Sequence, residues 1–222
     1  MSRTRIKICG VRDVETALAA ADAGADAVGL VFVHGSPRHI EVAAAKPIVD
    51  ALPPFVEPVG LFVDATVDVV RDTARELGLR TVQLHGHETT HYVASLAPLR
   101  VIKSVAVAGD QSVGRLEDWR ESCPNLAALL FDAPPGPTGM TGGGGKPFDW
   151  NALGRLKREG VLDRLPPYLL SGGLDAGNVR QAIALLWPYG VDVSSGVEST
   201  RGVKDIAKIR EFCDAVRHAP IA

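Results

Sequence analysis

The 222-residue sequence predicts a single-domain α/β protein, a (β/α)₈ TIM barrel spanning residues 1–222. Three observations carry this. Eight short runs rich in β-branched residues alternate with longer segments of helical spacing, the order expected of parallel βαβ units. Several of the short runs are apolar almost throughout, as strands covered on both faces are. Eight such units in so short a chain suit a closed barrel, usually of about 250 residues and at least roughly 200. An open doubly wound sheet fits less well, because no G-x-G-x-x-G follows the first strand.

The first strand is RIKIC from Arg5, followed by a helix in DVETALAAADAG. The second is DAVGLVF from Asp26, and its helix is expected to be interrupted early at the Lys46–Pro47 step, since proline lacks the backbone donor. The third is EPVGLFV from Glu57; in the helix after it, Val67, Val70, Ala74 and Leu77 share one face. Asp64 or Thr66 can cap that helix and Gly78 can end it. TVQLH from Thr81 leads into ETTHYVASLA, and RVIKSV from Arg100 into a weaker helix near SVGRLEDWR. LAALLFD from Leu126 is the sixth strand. PYLLSG from Pro167 precedes DAGNVRQAIALLW, and VDVSSG from Val191 precedes KDIAKIREFCDAV. The similarity of GADAVGL and YGVDVSSG hints at repeated βα units.

One segment breaks the rhythm: the proline- and glycine-rich stretch from Ala133 to Pro147. Loops beyond about 12–15 residues in compact domains are usually functional or disordered. A linker would leave only two strands after it, too few for a second domain of this class, so the segment reads as a mobile active-site loop.

Composition narrows the function. A net charge of −2 and a pI of about 6.3 argue against a nucleic-acid partner. The N-terminus has no apolar signal core, and no apolar run approaches the ~20 residues of a membrane helix, so a soluble cytoplasmic protein is expected. Cys9, Cys123 and Cys213 are odd in number and far apart, which fits neither a disulfide framework nor a zinc motif. His85, His87 and His91 are close in sequence but straddle a strand end and a helix start, and no HExxH occurs, so no metal is expected.

Active sites of such barrels lie at the C-terminal strand ends. Cys9 ends the first strand, and FVHGSPR with Arg38 follows the second. Gln83 and His85 end the fourth and Asp132 the sixth. Gly172 and Gly173 follow the seventh, Ser195 and Gly196 the eighth. Those last two loops are where such barrels hold phosphate, because glycine lets backbone N–H groups approach an anion. Cys9 is either a nucleophile or proton acceptor, or a small core hydrophobe. Asp132 is either a proton donor with a raised pKa or a turn residue. Arg38 can fork onto a carboxylate or phosphate, or be a solvated surface residue.

These strand-end residues carry a family resemblance. KICG, GLVFVHGSPR, VQLHG, LLFDA, GGGGKPFDW, SGGL and VDVSSGVESTRGVKD, which run from Lys7 to Asp205, resemble the motifs of the phosphoribosylanthranilate isomerases of tryptophan biosynthesis. The resemblance implies an Amadori rearrangement of N-(5-phosphoribosyl)anthranilate without metal or organic cofactor. It implies Cys9 as general base, Asp132 as general acid, Arg38 on the anthranilate carboxylate and Asp192 on the substrate side, with the phosphate near Gly173 and Ser195–Gly196. Gly144 and Pro147 depart from the two threonines of the family's GGTGKTFDW, and His87 stands where an acidic residue is frequent.

A thiol of pKa ~8.5 must be lowered to act at neutral pH. Lys7, two residues back on the same side of the strand, is expected to do this together with the iminium charge of the ligand. Gly10 is expected to keep the turn small for the substrate. Rival readings are the histidine-pathway aminoaldose isomerase, which carries aspartate in place of Cys9, or a dual-substrate enzyme. Indole-glycerol-phosphate synthase would need Lys103 as catalytic lysine, and a phosphate-binding regulatory barrel would need neither Cys9 nor Asp132. Both monomer and homodimer are compatible with the sequence.

Overall fold

A computed structural model describes residues 3–107, 116–134 and 150–220. Eight parallel strands close into a barrel in sequence order: β1 (Arg5–Cys9), β2 (Ala27–Val31), β3 (Glu57–Phe62), β4 (Thr81–Leu84), β5 (Arg100–Ala106), β6 (Leu126–Asp132), β7 (Tyr168–Leu170) and β8 (Gly190–Val193). β8 pairs back onto β1, with Lys7 opposite Asp192. The fold is therefore the expected (β/α)₈ barrel.

Helices separate the strands: α1 (Val14–Asp22), α2 (Val42–Ala51), α3 (Val67–Leu77), α4 (Thr90–Ser95), α5 (Glu117–Ser122), α6 (Trp150–Arg158), α7 (Val179–Leu186) and α8 (Ile206–Arg217). Thr66 caps α3 by accepting from the Val69 amide, and Gly78 closes it in the left-handed region at φ 69°. Asp64, the other capping candidate, instead accepts from the His87 amide at 2.6 Å. The expected interruption at Lys46–Pro47 does not occur, because α2 runs through Pro47 to Ala51. A proline six residues into a helix removes one backbone donor, that toward Ala43, and the turn before it is already closed by the Ala45 amide on Glu41.

Strand alternation divides the core in two. Ile6, Ile8, Val28, Leu30, Phe62, Leu129 and Phe131 point outward and join one large cluster with the helices. Val59, Ile102, Ala128, Leu130 and Leu169 point inward and plug the barrel. Above this plug the inward positions turn polar: Lys7, Gln83, Asp132, Ser171 and Asp192 are all buried.

A short antiparallel hairpin follows β8, formed by β9 (Glu198–Thr200) and β10 (Val203–Lys204). It is absent from the sequence-based reading, since its strands are too short to show a period. The segment from Ala133 to Pro147 read as an active-site loop lies, beyond Pro134, outside the described residues. Among the described residues no helix is long and apolar enough to cross a membrane.

Candidate active site

A pocket opens at the C-terminal mouth of the barrel. Its walls include Cys9, Arg38, Gln83, His85, Asp132, Asp192, Gly172, Gly173 and Ser195, drawn from strands far apart in sequence. Gly196 does not reach the wall. A Cβ there would run into the carbonyl oxygen of Leu174, so this glycine allows the loops after β7 and β8 to lie against each other.

Inward alternation on β1 brings Lys7 and Cys9 to the same side, and both are buried. Lys7 Nζ lies 2.6 Å from Asp192 Oδ1, and Ser171 Oγ donates to Asp192 Oδ2 at 3.1 Å. Burial pushes the Cys9 thiol up; Lys7 and Lys204 pull it down and Asp192 pushes it up, and the net direction is upward. The expected lowering by Lys7 is thus present but outweighed, because the sequence shows a neighbouring charge and not the desolvation around it. Burial also works against the Lys7 ammonium, yet Asp192 and Cys9 outweigh it and hold its pKa above the ordinary lysine value.

Glycine at 29 makes room for the thiol. Gly29 is register-paired with Cys9, and a Cβ there would come within 2.7 Å of Cys9 Sγ. Gly10 makes room for a second pocket residue. At φ 82°, a Cβ on it would meet Arg38 Cδ at 2.7 Å, so the aliphatic stem of Arg38 packs against the turn.

Asp132 is 5% exposed at the end of β6. Its Oδ1 accepts from the Ala133 amide at 2.8 Å and its Oδ2 lies 3.1 Å from His85 Nε2. Gly172, at φ 77°, packs on this carboxyl; a Cβ there would approach Ala133 N to 2.6 Å and Asp132 Oδ1 to 2.9 Å. Gln83 Nε2 lies 3.0 Å from His85 Nδ1. With that amide nitrogen donating, His85 carries its proton on Nε2 and donates toward Asp132. Gln83 Oε1 is buried without a hydrogen-bond partner. His85 therefore serves Asp132 and not Cys9, while His87 is exposed on the loop beyond.

Arg38 is held by a residue the sequence reading missed. Its Nε and Nη2 reach the two oxygens of Glu198 at 2.7 and 3.0 Å. An apolar wall was missed too: Val31, Val33, Leu61 and Val63 cluster beside Cys9 and line the pocket. Their spacing of two at the ends of β2 and β3 was a legible signal.

Lys103, the candidate for a synthase lysine, is spent elsewhere. Its Nζ binds Glu88 at 3.0 Å and the carbonyls of Gly86 and Ser104, and it is not on the pocket wall. Among the described residues, His34, His39 and Glu41 could hold a metal ion, their ligand atoms lying within 4.8 Å of one another, but none of the three lines the pocket.

A family model for N-(5'-phosphoribosyl)anthranilate (PRA) isomerase matches residues 6–215. An N-(5'-phosphoribosyl)anthranilate isomerase of Geobacter sp. (strain M21) is 47% identical over 209 residues, or 94% of this chain and 96% of that one. The crystal structure of phosphoribosyl anthranilate isomerase from Thermotoga maritima superposes with a TM-score of 0.85 at 38% identity, covering 96% of this chain and 98% of that one. A phosphoribosyl anthranilate isomerase in complex with reduced 1-(o-carboxyphenylamino)-1-deoxyribulose 5-phosphate superposes with a TM-score of 0.82 at 37% identity, with the same coverage.

Proposed function

The chain belongs to the N-(5'-phosphoribosyl)anthranilate isomerase family and acts as that isomerase in tryptophan biosynthesis; on this premise we propose that Cys9 and Asp132 are its base and acid. The observation that carries the assignment is that a thiol on β1 and a carboxyl group on β6 open into one pocket, beside the glycine loops that follow β7 and β8.

The reaction moves hydrogen and changes no oxidation state overall. Asp132 donates a proton to the furanose ring oxygen, and the ring opens to a Schiff base. The cationic iminium acidifies the C2' hydrogen. The Cys9 thiolate removes it to give an enolamine; C1' then takes that proton back from the Cys9 thiol as the C2' hydroxyl returns one to the Asp132 carboxylate, which leaves the ketone, 1-(2-carboxyphenylamino)-1-deoxyribulose 5-phosphate, and restores both groups. Burial works against the Cys9 thiolate, so the arriving positive charge, added to Lys7 and Lys204, is what favours it. One acid and one base suffice for this sequence.

The remaining wall residues bind. The apolar patch of Val31, Val33, Leu61 and Val63 takes the aromatic ring, and Arg38 takes its carboxylate by charge-assisted hydrogen bonds. Gln83 Oε1, buried and without a donor, takes a sugar hydroxyl. Consecutive left-handed backbone at Gly172 and Gly173, at φ 77° and 70°, turns the chain for the phosphate, with Ser195 opposite. Asp192, fixed by Lys7 and Ser171, lies on the substrate side of the same wall.

The test mixes purified protein with freshly made phosphoribosylanthranilate and follows the fall in its fluorescence. The wild type is expected to turn over, and Cys9→Ala and Asp132→Ala to lose most of the rate. Either variant retaining most of its turnover would remove that residue from the mechanism. The histidine-pathway aminoaldose, assayed in parallel, reports whether a second substrate is accepted.

A further inference from the structure

We infer that Glu198, carried by the hairpin β9–β10, is a positioning residue that aims Arg38 at the carboxylate of the substrate and so sets its preference for a carboxylated aromatic amine. This rests on Arg38 being the carboxylate ligand.

Glu198 does not line the pocket. Four donors fill its carboxylate: Arg38 Nε at 2.7 Å and Lys204 Nζ at 3.0 Å on Oε1, Arg38 Nη2 and the Gly202 amide, each at 3.0 Å, on Oε2. Burial works against the Glu198 charge, yet the Arg38 guanidinium and the Lys204 ammonium outweigh it and hold its pKa below the usual carboxylate value. A carboxylate so saturated has no lone pair left for substrate, but it fixes the plane of the guanidinium it forks.

The fork occupies one edge of Arg38 and leaves Nη1 and the far hydrogen of Nη2 for a second anion. Since Arg38 lines the pocket next to the apolar wall, those donors are available to a substituent of a ring seated there. Arg38 and Lys204 share the single carboxylate of Glu198, and although burial pushes the Lys204 ammonium down, the cluster favours one further anion. The stem has little freedom, because it rests on Gly10.

The hairpin is locked to the same loop from behind. Gly202 has φ 83°, and a Cβ on it would run into the carbonyl oxygen of Pro37, the residue before Arg38. Lys204 is also tied to the β8 end by Ser194 O at 2.9 Å, and Ser194 Oγ donates to the Cys9 carbonyl at 3.0 Å. Two short strands thus reach the residue expected to hold the carboxylate and the backbone of the one expected to take the proton.

The experiment compares kcat/KM for N-(5'-phosphoribosyl)anthranilate with that for the N-phosphoribosyl adduct of aniline, which lacks the carboxylate. Arg38→Met should erase the preference for the carboxylated substrate. Glu198→Gln, nearly the same shape, should cut that preference by about tenfold or more, the size of a charge-assisted hydrogen bond, mainly through KM. Glu198→Asp, which keeps the charge but shortens the reach, should fall between Gln and wild type.

If Arg38→Met loses the preference while Glu198→Gln keeps it, the inference is overturned and the Arg38 assignment stands. If Glu198→Gln slows both substrates equally, its role is structural and the inference is overturned. If Arg38→Met keeps the preference, the underlying assignment fails and the inference with it. Should Glu198→Gln not fold, Glu198→Asp carries the test: a reduced preference supports the inference and an unchanged one overturns it.

Discussion

Lys7 and Asp192 face each other inside the barrel, register-paired across the closure between β1 and β8, with Nζ 2.6 Å from Oδ1 and both side chains about as buried as the apolar core. Removing one partner of such a pair leaves a buried charge uncompensated. Asp192→Asn is therefore expected to lower unfolding free energy by about 3–5 kcal/mol, read from urea midpoints at unchanged m-value. A loss below about 1 kcal/mol would mean that water reaches Lys7.

The same pair sets the sign of a pH experiment. The Cys9 thiol lies above its ordinary value, burial being the first cause. Its alkylation rate should rise with pH along a limb above the usual thiol pKa of about 8.5. Lys7→Met and Lys204→Met each remove a downward pull and should move that limb to higher pH; Asp192→Asn removes an upward push and should move it lower. Peptide-resolved mass spectrometry after iodoacetamide separates Cys9 from Cys123 and Cys213, both of which burial also raises. An unmoved limb in Lys7→Met would show that this ammonium does not act on the thiol.

Cys9→Ala and Asp132→Ala are each expected to lower kcat by about 10²–10⁴-fold, the range of general acid–base catalysis, with KM little changed. Single-turnover fluorescence traces check that the chemical step is what slows.

His85→Ala removes the group 3.1 Å from Asp132 Oδ2. That group stabilises the carboxylate formed as Asp132 gives up its proton; a hydrogen bond to a charged group is worth about 1.5–3 kcal/mol, so kcat should fall by about 10- to 100-fold. Gln83→Leu, which removes the partner of His85 Nδ1 and the buried Oε1 proposed to bind a sugar hydroxyl, should raise KM. Retention of full rate in His85→Ala would make the histidine a bystander.

Gly29→Ala puts a methyl group where Cys9 Sγ lies 2.7 Å away. Overpacking of this kind costs about 1–3 kcal/mol, and the thiol must move. We expect a lower melting temperature together with a fall in kcat, checked by thermal unfolding and the fluorescence assay. Unchanged values for both would show that the mouth of the barrel has slack.

The eight strands were legible because alternation and apolar content are local signals. RIKIC and LAALLFD coincide with β1 and β6 to the residue. Pro47 misled because a breaker's cost depends on how much of the helix packs around it, and α2 buries Ala45 and Ile48 on either side. Strand-end positions, with the family motifs for Asp192, led to the pocket wall for nine of the ten candidates, with Gly196 left behind it. Glu198 escaped notice because its partner is 160 residues away, and a three-residue strand has no period to read.

By itself, then, the amino-acid order determined the number of βα units, their parallel barrel closure and the set of residues placed at the strand ends, since each follows from short-range patterning. Only the folded chain decided who touches whom. The Lys7–Asp192 and Arg38–Glu198 pairs, the turn of His85 toward Asp132 and the upward shift of the Cys9 thiol depend on distances and desolvation that arise when remote segments meet in a dry interior, and no local pattern encodes them.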